Sequence, residues 1–170
     1  MLRAIGSKKD LELLPFYDVI SDLLENETVQ SLKQFRHHVQ TTRFQHSLNV
    51  AYYNYIFCSR FGWDARAAAR AGMLHDLFFY NRKEYVRKSG EAFHSKRHPQ
   101  MACSEASRLF TLSTREKDII LKHMWPMTPT RLPRYKESMV IVLTDKYCAM
   151  LEVVIPLFRK LFRRCSSSST

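Results

Sequence analysis

The sequence predicts an all-α protein with one domain, a helical bundle of about six to seven helices. Glycine is scarce, with 4 residues in a chain of 170, and few turn-forming pairs interrupt the pattern. Apolar residues recur every three or four positions along most of the chain, which is the spacing of one helix face. Hydrophobic residues make up 45% of the chain, enough for a sizeable single core.

The N-terminal half contains four of the predicted helices, which span residues 10–24, 27–37, 41–61 and 65–79. Three of them begin at residues whose side chains typically cap a helix N-terminus: Asp10, Thr41 or Thr42, and Asp64. Gly62 ends the third helix. The fourth carries Ala and Gly on one face, which predicts close packing against a neighbour.

The C-terminal half contains three more predicted helices, which span residues 98–109, 113–125 and 137–155. Pro99 fits the first turn of the fifth helix, and Ser113-x-x-Glu116 is a capping-box pattern that opens the sixth. Pro156 breaks or kinks the seventh. Residues 80–97 have no helical pattern and many basic side chains, so we expect a long loop that faces a substrate.

The composition favours anionic partners. The formal net charge is +11, which suits phosphorylated small molecules, nucleic acid or an acidic membrane face, although a basic solvated surface would give the same number. No recognition motif for DNA or RNA appears, which argues against nucleic acid. A basic amphipathic segment, residues 157–164, could touch a membrane surface weakly.

The four cysteines predict a reducing, cytoplasmic environment. None of them forms a CxxC pair, and three lie in apolar helical segments, where a free thiol behaves as a small hydrophobe. The first residues lack the apolar core of a signal peptide, and no apolar run approaches the ~18 residues of a membrane span.

The doublet His75-Asp76 is the centre of the functional prediction. It lies in an apolar run, and a buried carboxylate is costly unless it is paired or bound to a metal. Six such side chains are predicted to point inward because each lies three or four positions from an apolar residue of its helix: His46, His75, Asp76, His98, His123 and Asp145. A lone inward histidine is more often a hydrogen-bonded core residue, but one shared metal site explains all six together.

These residues, in this order, resemble the HD-domain superfamily of metal-dependent phosphohydrolases. The resemblance rests on Arg43-x-x-His46-Ser47, Leu74-His75-Asp76, His98-Pro99, His123 and Thr144-Asp145-Lys146. It implies an all-helical metal-binding core over residues 41–155, with 1–40 as an N-terminal helical extension packed on it. Residues 156–170 remain as a basic amphipathic end and a disordered tail.

The resemblance also implies a ligand set and a reaction. His46, His75, Asp76 and Asp145 would hold the first metal, and His98 and His123 match the extra ligands of the two-metal subset, with Asp76 as the bridge. The cofactor would be one or two divalent ions among Fe, Mn, Zn, Ni, Co and Mg. Such an ion acidifies a bound water, so that hydroxide can attack a phosphoester at neutral pH.

Further residues are assigned to the substrate. Asp76 could orient the nucleophile, and Lys146 could reach a phosphate oxygen, although a solvated surface lysine fits equally well. Arg43 could clamp a phosphate or form a structural ion pair. Loop residues Lys96 and Arg97 could attract an anion, and His94 is a possible outer residue of the site. His37 and His38 could approach the site, but an exposed pair is the favoured prediction.

The sequence therefore predicts a phosphomonoesterase or phosphodiesterase that acts on a phosphorylated small molecule, with a nucleotide as the favoured substrate. Two alternatives belong to other classes. One is an inactive nucleotide sensor on the same scaffold, against which the intact ligand set argues. The other is a basic module that binds nucleic acid or a membrane surface, and it predicts a steep salt dependence of binding.

Overall fold

The computed structural model describes residues 1–37, 41–80 and 93–167, without the side chains of residues 159 and 161–167. Within these ranges the chain forms seven α-helices and no strand beyond an isolated bridge between Arg36 and Thr42. The helices are α1 (Pro15–Glu25), α2 (Glu27–Gln30), α3 (Arg43–Arg60), α4 (Ala65–Leu74), α5 (His94–Leu109), α6 (Thr114–Lys122) and α7 (Lys136–Ser167). The predicted all-α class is confirmed.

The helix starts follow the predicted caps in most cases. Thr42 accepts a hydrogen bond from the Gln45 N–H at the start of α3, and Asp64 accepts one from Ala67 at the start of α4. The capping box that opens α6 is formed in both directions. Asp10 caps a short 3-10 turn, Leu11–Leu13, so α1 begins only at Pro15, five residues later than predicted.

Several predicted helix lengths are wrong, for local reasons. α2 ends at Gln30 and passes into a 3-10 turn, Ser31–Gln34. α4 ends at Leu74 rather than residue 79, because the His75 ring bonds to a carbonyl of the last turn. α5 begins at His94, four residues before the prediction.

α7 also differs from the prediction, since it continues through Pro156 to Ser167. A proline removes one main-chain donor, and a long helix with intact neighbouring turns continues past that loss. The segment predicted to be a separate amphipathic end is therefore part of α7. Among the described residues, no helix combines the length and the apolarity needed to cross a bilayer.

α3 and α4 form the centre of the bundle because small residues let them approach closely. A Cβ atom on Gly72 of α4 would lie 2.8 Å from the Ala51 Cα of α3. α1 and the N-terminal segment cover one side of this pair, with Leu11, Phe16 and Ile20 fully buried in the shared core. α6 and α7 cover the other side, so the residues between them face α3 and the end of α4.

Candidate metal centre

Five segments bring the six predicted ligands into one buried cluster. α3 contributes His46, and the turn after α4 contributes His75 and Asp76. His98 lies on α5, His123 at the end of α6, and Asp145 on α7. The side chains are at most 7% exposed except that of Asp145, which is 19% exposed. The six side chains that the sequence predicted to point inward therefore lie together, and His37 also borders them.

One part of the cluster, the first group, consists of His46, His75 and Asp145. Their ligand atoms lie within 4.8 Å of one another. The Asp145 Oδ1 is 3.0 Å from the His46 Nε2 and 3.9 Å from the His75 Nε2. Asp76 borders this group, because its Oδ2 lies 3.8 Å from the His75 Nε2.

The other part, the second group, consists of His98 and His123. Their Nε2 atoms are 2.8 Å apart and lie 3.5 and 3.9 Å from the Asp76 Oδ1. Asp76 therefore turns one carboxylate oxygen towards each group. A carboxylate in that position can bind one ion through each oxygen.

Main-chain carbonyls fix the orientation of three of these rings. The Nδ1–H groups of His75, His98 and His123 donate to the carbonyls of Gly72, His94 and Ile120 at 2.7–2.8 Å. A carbonyl oxygen can only accept, so each Nδ1 holds the proton and each Nε2 turns its lone pair towards the cluster.

Two of these rings are oriented by the end of the helix that they cap. His75 and His123 are the C-cap residues of α4 and α6, and each ring binds the carbonyl three residues earlier. The last carbonyls of a helix have no intrahelical donor, so the ring satisfies one of them while its other nitrogen faces the cluster. This local geometry explains why both helices stop where they do.

This donor set fits divalent cations. With their protons on Nδ1, His98 and His123 direct two Nε2 lone pairs at each other across 2.8 Å, which is unfavourable unless a cation or a proton lies between them. The separations of 2.8–3.9 Å between the donor atoms are those expected of ligands that share an ion at about 2.0–2.2 Å. Imidazole with carboxylate suits Zn, Fe, Mn, Co and Ni.

His46 lies between two carboxylates of α7. Its Nε2 is 3.0 Å from Asp145, and its Nδ1 is 3.0 and 3.2 Å from the two oxygens of Glu152. Burial alone would lower the pKa of His46, but the hydrogen bonds to Asp145 and Glu152 outweigh it and raise the pKa to about 10. Without an ion, both ring nitrogens therefore donate.

The other ionisable groups of the cluster shift in the senses that metal binding requires. Burial lowers the pKa of His123 to about 3 and also lowers that of His98, so both rings stay neutral. Burial would raise the pKa values of Asp76 and Asp145, but the surrounding histidines hold both below the ordinary range. Neutral imidazoles and ionised carboxylates are the forms that bind metals.

Sequence reasoning missed two polar residues behind His46. Glu152 is fully buried and accepts hydrogen bonds from His46 and, at 2.8 Å, from the Asn49 Nδ2. A signal was present, since Glu152 follows Asp145 by seven residues and so lies on the same face of one helix. Asn49 also accepts from the Ile5 N–H, which ties the N-terminal segment to this network.

His37 was placed wrongly by the sequence. Its side chain is 16% exposed, its Nδ1 lies 3.9 Å from the Asp76 Oδ2, and its ring stacks on that of His46 with centroids 4.0 Å apart. Main-chain hydrogen bonds hold it there, because the His37 N–H donates to the Thr41 carbonyl in the turn that leads into α3. His38 lies outside the described residues.

Arg43 and Lys146 make main-chain contacts. The buried Arg43 guanidinium donates to the Phe78 and Tyr80 carbonyls and stacks on the Phe78 ring at 3.7 Å. It therefore holds the segment that follows the His-Asp doublet. The Lys146 Nζ donates to the Val142 carbonyl at 3.0 Å and approaches that of Trp125 at 3.4 Å. The phosphate contacts predicted for both stay predictions.

The remaining predicted substrate residues lie on the first turn of α5. His94 stacks on His98 with centroids 4.5 Å apart, and its Nδ1 is 2.7 Å from the Tyr80 hydroxyl. Lys96 is exposed and Arg97 is half-buried. The central part of the predicted basic loop, residues 81–92, lies outside the described residues.

A family model described as HD domain matches residues 43–150 of the chain. The matched range begins at Arg43 and includes all six residues of the cluster. No curated protein and no solved structure matches the chain significantly.

Proposed function

The chain belongs to the HD-domain family, and on that premise we propose that it is a divalent-metal-dependent phosphohydrolase. One observation carries the proposal: the Asp76 carboxylate turns one oxygen to each of two histidine groups. The proposed substrate is a phosphorylated small molecule, with a nucleotide as the favoured class, cleaved as a monoester or a diester.

The residues of the cluster would divide between two ions. His46, His75 and Asp145 would hold one, and His98 and His123 the other, with Asp76 shared. Bound divalent ions supply a nucleophile at neutral pH and neutralise the charge that develops on a transferring phosphoryl group.

Residues of the chain itself position the nucleophile and the metal ligands. Asp76 is buried and ionised, so one of its oxygens can accept a hydrogen bond from the attacking nucleophile and orient it. Glu152 and the carbonyls of Gly72, His94 and Ile120 fix the four imidazole rings, so that little reorganisation is needed during the reaction.

The partly exposed side of the cluster is where a substrate would enter. Asp145 is its most exposed member, and His37 stacks over His46 at the side chain of Asp76. We propose that Lys96, Arg97 and Lys146 contribute positive charge on the approach to the site, since the chain carries a net charge of +11. Lys146 would have to release its main-chain carbonyls to reach a phosphate.

The test compares Asp76→Ala with Asp18→Ala, an exposed carboxylate on α1. We would measure the metal content of each purified protein and its turnover of nucleotides and phosphoesters with Mn, Fe, Co, Ni or Mg added. The proposal expects about two ions per chain in the wild type and in Asp18→Ala, and loss of both ions and turnover in Asp76→Ala.

Two results would contradict the proposal in different ways. Full turnover by the metal-free protein would exclude a metal-dependent mechanism. Metal and nucleotide binding without turnover for any substrate would favour a sensor on the same scaffold.

A further inference from the structure

The outward face of α7 is apolar along most of its described length. Seven residues on this face are between 38% and 62% exposed: Met139, Leu143, Tyr147, Met150, Val153, Leu157 and Phe158. The inward face is also apolar, with Ile141 and Cys148 fully buried. A helix that is apolar on both faces is normally buried on both, and within the part of the chain that the structure describes no element covers the outer side of α7.

Four of these outward residues, together with the half-buried Val154, follow the spacing of a helix–helix seam. Leu143, Tyr147, Met150, Val154 and Leu157 are separated by steps of four and three residues, which is the heptad pattern of a coiled coil. The heptad-spaced positions therefore form one continuous stripe that a second helix could contact by interdigitating side chains.

The composition of the stripe is that of a protein–protein interface core. The seven exposed residues of the outward face include two methionines and two aromatic residues, which are enriched in such cores, where charged residues are depleted. The acidic residues of α7 all lie away from the stripe, because Glu137 and Glu152 are buried and Asp145 faces the metal centre. One exposed charge does lie on the outward face, because Lys146 follows Leu143 by three residues and precedes Met150 by four, and its Nζ donates to the Val142 carbonyl.

The area is sufficient for a dimer. At ~200 Å² for a fully exposed large side chain, the seven residues leave about 700 Å² of mostly apolar surface in water. A stable protein–protein interface buries about 800 Å² on each partner, and monomers rarely expose an apolar patch of this size. A second copy of the chain supplies an identical stripe, so the two would cover each other.

We propose that the outward face of α7 is the dimer interface of this protein, with two α7 helices packed antiparallel across a two-fold axis near Met150. The antiparallel arrangement follows from the charges at positions 159, 160, 163 and 164, which are all basic. Parallel helices would bring these like charges together, and antiparallel helices place them at opposite ends. Leu143 of one copy would then face Leu157 of the other.

This proposal does not depend on the enzymatic one. Asp145 and Glu152 point to the opposite side of α7, towards His46. Substitutions on the outward face should therefore leave metal content unchanged.

The first test is the mass of the full chain in solution, measured by sedimentation equilibrium over a range of concentrations. We expect about twice the chain mass of 20.1 kDa at tens of micromolar. Leu143→Glu should weaken dimerisation by roughly 100-fold or more, because two carboxylates would be buried against leucine. Leu13→Glu, at a site 82% exposed on a 3-10 turn, is the matched control and should stay dimeric.

The second test uses cross-linking, which does not require a destabilising substitution. In a Cys165→Ser background, Met150→Cys should form a disulfide-linked dimer. Leu143→Cys mixed with Leu157→Cys should link to each other, and neither should link to itself.

Three outcomes would overturn the dimer interface, and a fourth would overturn only its antiparallel arrangement. A wild-type monomer at every concentration excludes the dimer, and a dimer that survives Leu143→Glu places the interface elsewhere. A monomer that floats with vesicles containing anionic lipid, and ceases to do so in Leu143→Glu, would assign the stripe to a membrane surface instead. Self-linking of Leu143→Cys would reject the antiparallel arrangement.

Discussion

Replacing Glu152 by glutamine should weaken metal binding at the ion site that contains His46. The two Glu152 oxygens lie 3.0 and 3.2 Å from the His46 Nδ1, and Asn49 donates to the same carboxylate at 2.8 Å. Both His46 and Glu152 are fully buried, so water cannot replace a lost contact. Glutamine preserves the volume, and its amide oxygen at the Oε1 position could still accept from His46 and Asn49. The negative charge is lost, however, and an amide NH2 replaces the oxygen that lies 3.2 Å from the His46 Nδ1.

The magnitude follows from the loss of charge and of one hydrogen bond. An anionic partner increases the basicity of a metal-binding imidazole and fixes its tautomer, and removing such a partner typically costs 10- to 100-fold in metal affinity, or about 1.4–2.8 kcal/mol. The second group of ligands, His98 and His123, does not contact Glu152. We therefore expect only one of two binding steps to change.

The assay is a calorimetric titration of Mn²⁺ into the chelator-treated protein, with Glu105→Gln as the control. Glu105 is a surface carboxylate paired with Arg108 on α5, and its substitution should leave both binding steps unchanged. If Glu152→Gln folds normally and binds both ions within twofold of the wild-type affinity, the orientation of His46 does not depend on Glu152 and the reasoning is refuted.

Three further predictions concern stability. Gly72→Ala should lower the free energy of unfolding by about 1–2 kcal/mol and the melting temperature by several degrees. The reason is that the contact at 2.8 Å to the Ala51 Cα outweighs the gain of about 1 kcal/mol in helix propensity. Ser59→Ala on the exposed side of α3 is the control, and equal melting temperatures of the two variants would contradict the close contact. Arg43→Lys should lower the free energy of unfolding, measured by urea denaturation, by about 1–3 kcal/mol, since lysine lacks the planar guanidinium whose two terminal nitrogens donate separately to the Phe78 and Tyr80 carbonyls. An unchanged midpoint would show that these bonds are dispensable. The metal-free protein should be most stable near pH 6.5 in thermal unfolding. The native pKa of His46 is raised to about 10, so its contribution to stability is lost as pH rises from 6.5 towards 10. The native pKa of His123 is lowered to about 3, so its contribution to stability is lost as pH falls from 6.5 towards 3. Stability that rises steadily to pH 9 would contradict these assignments.

The residues of the cluster could be predicted because each one is a polar residue at an apolar position of the helix predicted from the sequence. His46, His98 and Asp145 do lie on helices, and the capping motifs Ser113-x-x-Glu116 and Asp64 fixed the starts of α6 and α4. Helix ends were harder to predict, since α4 stops where the His75 side chain competes for a carbonyl that a helical N–H would otherwise bind. Helix propensity scales do not record such a local contact between a side chain and the main chain.

The contacts across the fold could not be predicted from one sequence. The spacing of Glu152 from Asp145 indicates a shared helix face, but it does not identify the partner His46, which lies 106 residues earlier in the chain. His37 looked exposed, because a short turn with no periodic pattern carries it over the cluster. For Arg43 the sequence offered a phosphate clamp or a structural ion pair, and the main-chain contacts that the structure shows depend on where the chain runs after Asp76.

The position of His46 between two carboxylates has a thermodynamic consequence for ion uptake. Without an ion, its ring holds a proton on each nitrogen at neutral pH, so an ion that binds at Nε2 must release one proton to the solvent. The buffer takes up that proton, and its heat of ionisation becomes part of the observed heat of binding. Titrations in phosphate and in Tris should therefore report different enthalpies for the same reaction, and the slope against buffer enthalpy counts the protons displaced.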